Sequence, residues 1–289
     1  MKLLMKDEAR GKEHTIFVTI FAALMVMLVI MVMLMASAIA VSGVTLRLNE
    51  NAVDILDKQV ENRARYIEAQ LQQAQDLTDL STYINDTVQQ MLGEGTISLD
   101  TLDSTGGESL PLLEAAAPRL LRTLRSKQVS GVFLILNTHD FTDRTSGDRL
   151  PCVYLRDLDP EAAPSADNSD VMFERAPAEL VQAFGITTDK AWTPAQQYLD
   201  GEEDVFYVRP FQAAYQSGER TRATDYGRWT TLPYTLLGDD REAIAYAQPL
   251  ILEDGTVYGV LGIEMLESYM DTKLPWDELQ NDHHGSYLL

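Results

Sequence analysis

The chain has 289 residues and is strongly acidic, with 23 Lys and Arg against 44 Asp and Glu and a formal net charge of −21. Because proteins that bind nucleic acid neutralise phosphates mainly with Lys and Arg, this balance argues against a nucleic-acid partner. The single cysteine, Cys152, excludes an internal disulfide, so the fold must be held by its own core. We expect this thiol to be a small apolar residue in a strand.

The first predicted element is a membrane-spanning helix. No charged residue lies between Glu13 and Arg47, and the run from Thr15 to Val41 is almost wholly apolar. A bilayer core needs about 20 apolar residues in a helix, so we predict a transmembrane helix over residues 15–42. A cleaved secretory signal is the alternative, but the apolar region of such a signal usually has only about 7 to 15 residues.

Basic residues lie mainly on the N-terminal side of this span. Residues 1–14 contain Lys2, Lys6, Arg10 and Lys12. Arg47 is the only basic residue soon after the span. The positive-inside rule therefore predicts that residues 1–14 form a cytoplasmic tail and that the bulk of the chain is extracytoplasmic, anchored in the cell membrane.

A long amphipathic helix is predicted after the span. Apolar residues recur every three or four positions from Val53 to Met91, in a stretch without Pro or Gly. The pattern predicts one uninterrupted stalk or signalling helix over residues 43–95, which Gly93 and Gly95 end. A helix of this length can relay a displacement, form the seam of a homodimer, or do both, and its heptad-like spacing favours a homodimer.

The rest of the chain predicts an α+β fold. A second helix is expected over Leu110–Lys127, with Pro111 near its start, and a short helix over Leu266–Lys273. Asp254-Gly255 favours a tight turn between the last two strands, which makes them a hairpin. The predicted strands of a consecutive antiparallel sheet are Gly131–Asn137, Cys152–Arg156, Val205–Arg209, Ala243–Leu252 and Thr256–Met265.

Several motifs resemble those of the double Cache family of extracytoplasmic sensor domains. They are Arg209-Pro210-Phe211, Trp229, Pro233-Tyr234, Ala245-Tyr246-Ala247-Gln248-Pro249 and Gly259-Val260-Leu261-Gly262-Ile263. The resemblance covers Leu46 to Leu289 and implies a membrane-distal PAS-like module over residues 96–273 that binds a small molecule. It implies that residues 274–289 start a truncated membrane-proximal module. It also implies a cytoplasmic output, for which we expect a diguanylate cyclase, with a histidine kinase or chemoreceptor as alternatives.

The same resemblance implies a ligand site. An Arg of the family holds a ligand carboxylate, and Arg209 occupies that position, where its guanidinium can form two parallel hydrogen bonds. Alternation along the predicted strand would place Tyr207 and Arg209 on one face. Leu236 stands where amino-acid-binding members of the family have an Asp that binds the ammonium group of the ligand. The resemblance therefore implies a small-molecule ligand, for which a carboxylate is one option, and does not imply an amino acid. The aromatic residues expected to wall the pocket are Tyr207, Phe211, Trp229, Tyr234 and Tyr246.

These six residues also have a plain structural interpretation. Arg209 could pair with a surface acid, and the aromatic residues could pack in the core or at the rim of the sheet.

The sequence carries no pattern typical of catalysis. It contains no Gly-x-Ser-x-Gly elbow, no His-Glu-x-x-His zinc helix and no phosphate-binding loop. The adjacent His283 and His284 would need further ligands, so we expect no metal site and no cofactor. We therefore predict a sensor portion that is not itself an enzyme, with a signal-anchored envelope enzyme or a scaffold protein as the alternative.

Overall fold

The computed structural model describes residues 2–199, 206–217 and 222–274. The chain forms two compact units, residues 1–66 and residues 67–289. The predicted start of a second module over 274–289 lies almost entirely outside the described residues, as do His283 and His284.

The first unit consists of helix α1 (Lys2–Gln75) as far as Tyr66. Its segment Val18–Gly43, of 26 residues, is long and apolar enough to cross a membrane, and its side chains are exposed. This segment agrees with the span predicted over residues 15–42. A signal sequence near an N-terminus can meet the same criteria of length and composition, so that alternative stays open.

The second unit begins with helices that cover one face of a sheet. These are the last turns of α1, α2 (Thr78–Glu94) and α3 (Leu110–Lys127). The bounds of α3 confirm the predicted second helix. Apolar residues that recur at helical spacing face the core, as expected for amphipathic helices that pack on a sheet. Buried examples are Ala74, Ile84, Val88, Leu113, Leu120 and Leu124.

The prediction of one uninterrupted helix over 43–95 is wrong, because the helix breaks at Asp76 and Leu77. The Oδ1 atom of Asp76 accepts a hydrogen bond from the backbone N–H of Thr78 (3.2 Å), and Leu77 is buried in the core. A short Asp side chain competes for backbone N–H groups and so favours a helix start over a helix interior. Gly95, with φ of +70°, ends α2 as predicted.

Seven strands form one mixed sheet, and two further strands form a separate ribbon. The strands are β1 (Gly131–Leu136), β2 (Arg149–Leu150), β3 (Cys152–Asp157), β4 (Val171–Arg175), β5 (Thr187–Thr193), β6 (Gln196–Gln197), β7 (Arg228–Trp229), β8 (Ala243–Ile251) and β9 (Val257–Leu266). The sheet order is β5-β4-β3-β1-β9-β8-β7, and β2 pairs with β6. The predicted α+β class is confirmed.

One edge of the sheet differs from the antiparallel arrangement that the sequence predicted. Strands β4 and β5 pair in parallel, whereas the other neighbouring strands of the described sheet pair antiparallel. Helix α4 (Ala178–Phe184) lies between β4 and β5 in the chain. A parallel pair needs such a crossover connection, which a tight turn cannot provide.

Four of the predicted strands are confirmed, and one is wrong. Helix α5 (Val208–Ser217) begins within the predicted strand Val205–Arg209, of which Val205 lies outside the described residues. Pro210 in the first turn of α5 suits a helix start, where its missing N–H costs nothing. The β8–β9 hairpin forms as predicted, with Gly255 at φ of +94°, and α6 (Glu267–Thr272) is the expected short helix.

The two faces of the sheet have different surroundings. One face packs on α1, α2 and α3 through residues such as Leu134, Leu155 and Ile263. The opposite face, called here the second sheet face, carries Phe133, Cys152 and α5. Cys152 is fully buried there, which confirms that it is a core residue of a strand.

Candidate functional site

The second sheet face carries a cluster of aromatic side chains. Phe206 stacks on Tyr234 with ring centroids 4.4 Å apart and contacts Tyr207 edge-on at 5.1 Å. Phe211 packs edge-on against Phe141 at 5.1 Å. These separations are typical of direct ring contact, so side chains fill this part of the face.

The structure brings three of the six predicted site residues to this cluster, namely Tyr207, Phe211 and Tyr234. Arg209 lies on the exposed side of α5, whereas Tyr207 and Phe211 are buried. The prediction that Tyr207 and Arg209 share one face of a strand is wrong, because this segment turns into a helix.

The other two predicted residues, Trp229 and Tyr246, pack on the helix-covered face of the sheet. Their ring centroids are 5.7 Å apart, and the Nε1 of Trp229 donates to Oε1 of Gln75 (3.1 Å). The structure therefore separates them from the aromatic cluster by the thickness of the sheet. A role in ligand binding stays a prediction for each of the six residues.

Beside the aromatic cluster lies a buried charge network centred on Arg156 of β3. The Nε and Nη2 atoms of Arg156 donate to the two carboxylate oxygens of Glu264 on β9, each at 2.7 Å. Its Nη1 donates to Oε1 of Glu174 on β4 at 2.9 Å and also to Asp239. Arg156, Glu174 and Glu264 are fully buried. The two-point contact with Glu264 is the geometry in which guanidinium and carboxylate bind most strongly.

Arg241 closes the network on its outer side. Its Nη2 donates to Oε1 of Glu174 (3.1 Å) and to Oδ2 of Asp189 (2.9 Å), and its Nε donates to Oδ1 of Asp239 (2.8 Å). The network thus holds the two guanidinium groups of Arg156 and Arg241 against four carboxyl groups. Within the described part of the chain, no group of three or more His, Cys, Asp or Glu is arranged to hold a metal ion.

Two tyrosines connect the aromatic cluster to the network. The hydroxyl of Tyr234 donates to Oε2 of Glu264 (3.1 Å), and the hydroxyl of Tyr154 donates to the same oxygen. Burial and the charge of Glu264 raise the pKa of Tyr154 well above its ordinary value, so its hydroxyl stays a donor. Gly131 pairs with Glu264 in the sheet, and a Cβ at this glycine would lie 2.8 Å from Oε1 of Glu264. The glycine therefore makes room for the buried carboxylate.

The pKa values of two carboxyl groups in the network, Asp239 and Glu174, shift in opposite directions. Burial would raise the pKa of Asp239, but hydrogen bonds from Arg241 and Arg156 outweigh it and lower this pKa to about 2. Burial raises the pKa of Glu174 above its usual 4.5, although Arg156 and Arg241 oppose the shift. The Oε2 atom of Glu174 has no hydrogen-bond partner among the described residues. Glu174 therefore takes a proton more readily than Asp239 does.

Replacing Glu174 by glutamine is expected to change the pH dependence of stability. Because the pKa of Glu174 is raised on folding, its contribution to stability is complete below pH 4.5 and is lost as pH rises through the folded-state pKa. Glu174→Gln removes this loss, so the free energy of unfolding of the variant relative to wild type should increase as the pH rises above 4.5. Urea unfolding at several pH values measures the difference.

The matched control for this experiment is Glu179→Gln, on the exposed side of α4. A difference between wild type and Glu174→Gln that stays constant over the pH range would contradict the expected proton uptake by Glu174.

The residues of the charge network were not among the site residues predicted from the sequence. The sequence nevertheless shows two charged residues of opposite sign, Arg156 and Glu264, inside mainly apolar strands. Charged residues are almost never fully buried unless they are paired, so opposite charges in two predicted core strands suggest a buried pair. The strand pairing that brings them together was not readable from the sequence.

No protein-family model matches the chain, and no curated protein is similar to it. Among solved structures it is similar to a methyl-accepting chemotaxis protein X, with 14% identity, a TM-score of 0.35 and coverage of 76% of this chain and 65% of that one. It is also similar to the periplasmic sensory domain of the Campylobacter jejuni chemoreceptor Tlp1, with 15% identity, a TM-score of 0.35 and coverage of 74% and 62%.

A third similarity is to the extracellular domain of a candidate histidine kinase, with 12% identity, a TM-score of 0.32 and coverage of 75% of this chain and 66% of that one. The chain thus spans about two thirds of the length of each of these structures. All three TM-scores are below 0.5, so these similarities do not assign a function to the chain.

Proposed function

We propose that the chain is the membrane-anchored extracytoplasmic portion of a small-molecule sensor. The observation that carries the proposal is that one helix, α1, contains both the apolar segment Val18–Gly43 and residues of the sheet-module core. Ile67 and Leu71 pack against that core, and Ala74 is buried in it. A ligand that changes the packing of the sheet would therefore act on the helix that enters the membrane.

The distribution of charge supports an orientation for this sensor. Residues 1–14 would be cytoplasmic and the sheet module outside the cell, because basic residues precede the apolar segment. The double Cache assignment, and an output of the diguanylate cyclase, histidine kinase or chemoreceptor type, are supported by the motif resemblance alone. We propose a sensor and not an enzyme, since the buried carboxyl groups of the second sheet face are bound by arginines in structural pairs.

Thermal unfolding of the full chain in lipid nanodiscs against a library of small metabolites tests the sensor proposal. A ligand that binds only the folded state raises the melting temperature in a concentration-dependent way. Arg209→Ala decides whether this exposed arginine of α5 takes part in binding. If no metabolite stabilises the chain, the sensor proposal is wrong.

We further propose that the chain forms a homodimer through α1. In the first unit Val53, Leu56 and Val60 are all about half exposed and share one side of the helix. Apolar residues at this spacing form the seam of helical dimers in water.

Disulfide cross-linking of Leu56→Cys is expected to give a covalent dimer under mild oxidation. Lys58→Cys is the matched control, because two residues turn its side chain about 200° around the helix from Leu56. The native thiol does not compete, since Cys152 is fully buried. We expect several-fold faster cross-linking at position 56 than at position 58, measured on non-reducing gels. Equal rates at the two positions would contradict the proposed seam, and a ligand-dependent rate at position 56 would support the relay through α1.

A further inference from the structure

A small cavity lies at the β4–β5 edge of the sheet, next to the β2–β6 ribbon. Its volume is about 60 Å³, which exceeds the space that one ordered water needs. The cavity is separate from the Arg156 network and from the six residues that the sequence predicted. Its lining consists of Arg149, Arg175, Thr193, Pro194, Ala195, Gln196, Gln197 and Leu237.

The deepest charged group of the cavity is Arg175, the last residue of β4, which is only 2% exposed. Its Nη1 donates to the carbonyl oxygens of Glu174 (2.7 Å) and Ala191 (2.9 Å), and its Nη2 donates to the carbonyl oxygen of Leu237 (2.8 Å). Within the described ranges, no carboxylate forms a salt bridge with this guanidinium. A buried charge without a counter-charge is costly, so the site favours a bound anion.

The nearby Cys152 does not supply that counter-charge. Burial raises the pKa of its thiol to about 12, although the charge of Arg175 opposes the shift. The thiol is therefore protonated and neutral at physiological pH.

The second polar group in the cavity wall is Gln196 of β6, which is 7% exposed. Its Nε2 donates to the carbonyl oxygen of Gln197 (3.3 Å), whereas its Oε1 has no hydrogen-bond partner among the residues that the structure describes. A buried acceptor without a partner is rare in folded proteins. Gln196 therefore offers an unused acceptor to a ligand that brings a donor.

The charge of the cavity lining indicates which kind of ligand can bind both Arg175 and Gln196. The lining contains two arginines, Arg149 and Arg175, and no acidic residue, in a chain whose net charge is −21. A carboxylate would gain from both guanidinium groups. An ammonium group would meet only like charges there, so the donor to Gln196 must be neutral, as a hydroxyl is.

We propose that this cavity binds a short-chain 2-hydroxy carboxylate, with its carboxylate at Arg175 and Arg149 and its hydroxyl donating to Oε1 of Gln196. The biological role of the site rests on the proposed sensor function, whereas binding itself does not. The volume of the cavity limits the ligand to a few non-hydrogen atoms.

Calorimetric titration of the full chain in nanodiscs with L-lactate tests the chemistry of the ligand. Propionate lacks the hydroxyl, L-alanine carries an ammonium group in its place, and lactamide lacks the charge. We expect saturable binding of L-lactate, binding of propionate weaker by about tenfold, and no saturation with L-alanine or lactamide. Absence of L-lactate binding, or equal binding of L-lactate and L-alanine, would overturn the proposal.

Substitutions test the location of the site. Arg149→Ala should weaken L-lactate binding by about tenfold and leave the fold intact, because Arg149 is exposed. Arg228→Ala, at an exposed arginine of β7 outside the lining, is the matched control and should bind as wild type does. Gln196→Leu should remove the preference for L-lactate over propionate. If this buried variant does not fold, the ligand series and Arg149→Ala decide the question.

The results of the two experiments show separately whether the cavity proposal and the sensor proposal fail. If L-lactate does not bind but another metabolite stabilises wild type and Arg149→Ala equally, the cavity proposal is wrong and the sensor proposal stands. No stabilisation by any metabolite would reject both.

Discussion

Replacing Arg156 by methionine is expected to lower the free energy of unfolding by about 3–5 kcal/mol. Arg156 is fully buried and is the partner of three carboxyl groups, those of Glu264, Glu174 and Asp239. Methionine fills a similar volume but leaves these groups without their cation in a region of low dielectric constant. Urea unfolding of the full chain in detergent micelles measures the loss.

Two variants show whether the loss comes from unpaired charge. Arg228→Met, at an exposed arginine, should change stability by less than about 0.5 kcal/mol. The double variant Arg156→Met with Glu264→Met should be more stable than Arg156→Met alone, because it leaves fewer buried carboxylates unpaired. If the double variant is as unstable as the sum of the two single variants, the network does not act through paired charges.

Gly262→Ala is expected to destabilise the chain by about 2–3 kcal/mol, although it adds only one methyl group. A Cβ at Gly262 would lie 2.2 Å from Cζ of Phe133 and 2.5 Å from the carbonyl oxygen of Tyr246. The ring of Phe133 could turn away only by disturbing the aromatic cluster. The carbonyl group of Tyr246 belongs to the β8–β9 ladder, so moving it would disturb the pairing of the two strands. Thermal or urea unfolding measures the effect.

The same chemical change at Gly93 is the control. Gly93 lies inside α2, and a Cβ there would meet no atom within 4 Å. Gly93→Ala should therefore stabilise the chain by about 0.5–1 kcal/mol, the usual gain from alanine in a helix interior. Similar effects of the two substitutions on stability would contradict a steric clash at Gly262.

The elements that the sequence predicted correctly are those with a strong local signal. The helix Leu110–Lys127 formed with the expected bounds, and the strands of the β8–β9 hairpin around Gly255 formed within one residue of theirs. Apolar periodicity and turn chemistry act between residues that are close in the chain, so one segment is enough to reveal them. The strand expected at Val205–Arg209 failed because a short apolar run does not distinguish strand from helix.

The relative positions of the six predicted site residues were less readable from the sequence, because they depend on contacts between distant segments. Tyr207, Phe211 and Tyr234 do meet on the second sheet face, but Trp229 and Tyr246 lie on the other face and Arg209 is exposed. A sequence shows that an aromatic residue lies in a strand, whereas strand pairing and register decide which face it occupies.

The sequence by itself determined the apolar segment near the N-terminus, the acidic surface and the α+β class, because composition and periodicity fix these properties. Only the tertiary structure decided that Arg156 meets Glu264, which is 108 residues away in the chain, and that Arg175 and Gln196 line one cavity. Burial makes a charge costly unless a partner lies within hydrogen-bond distance, and that partner comes from whichever strand the fold places alongside.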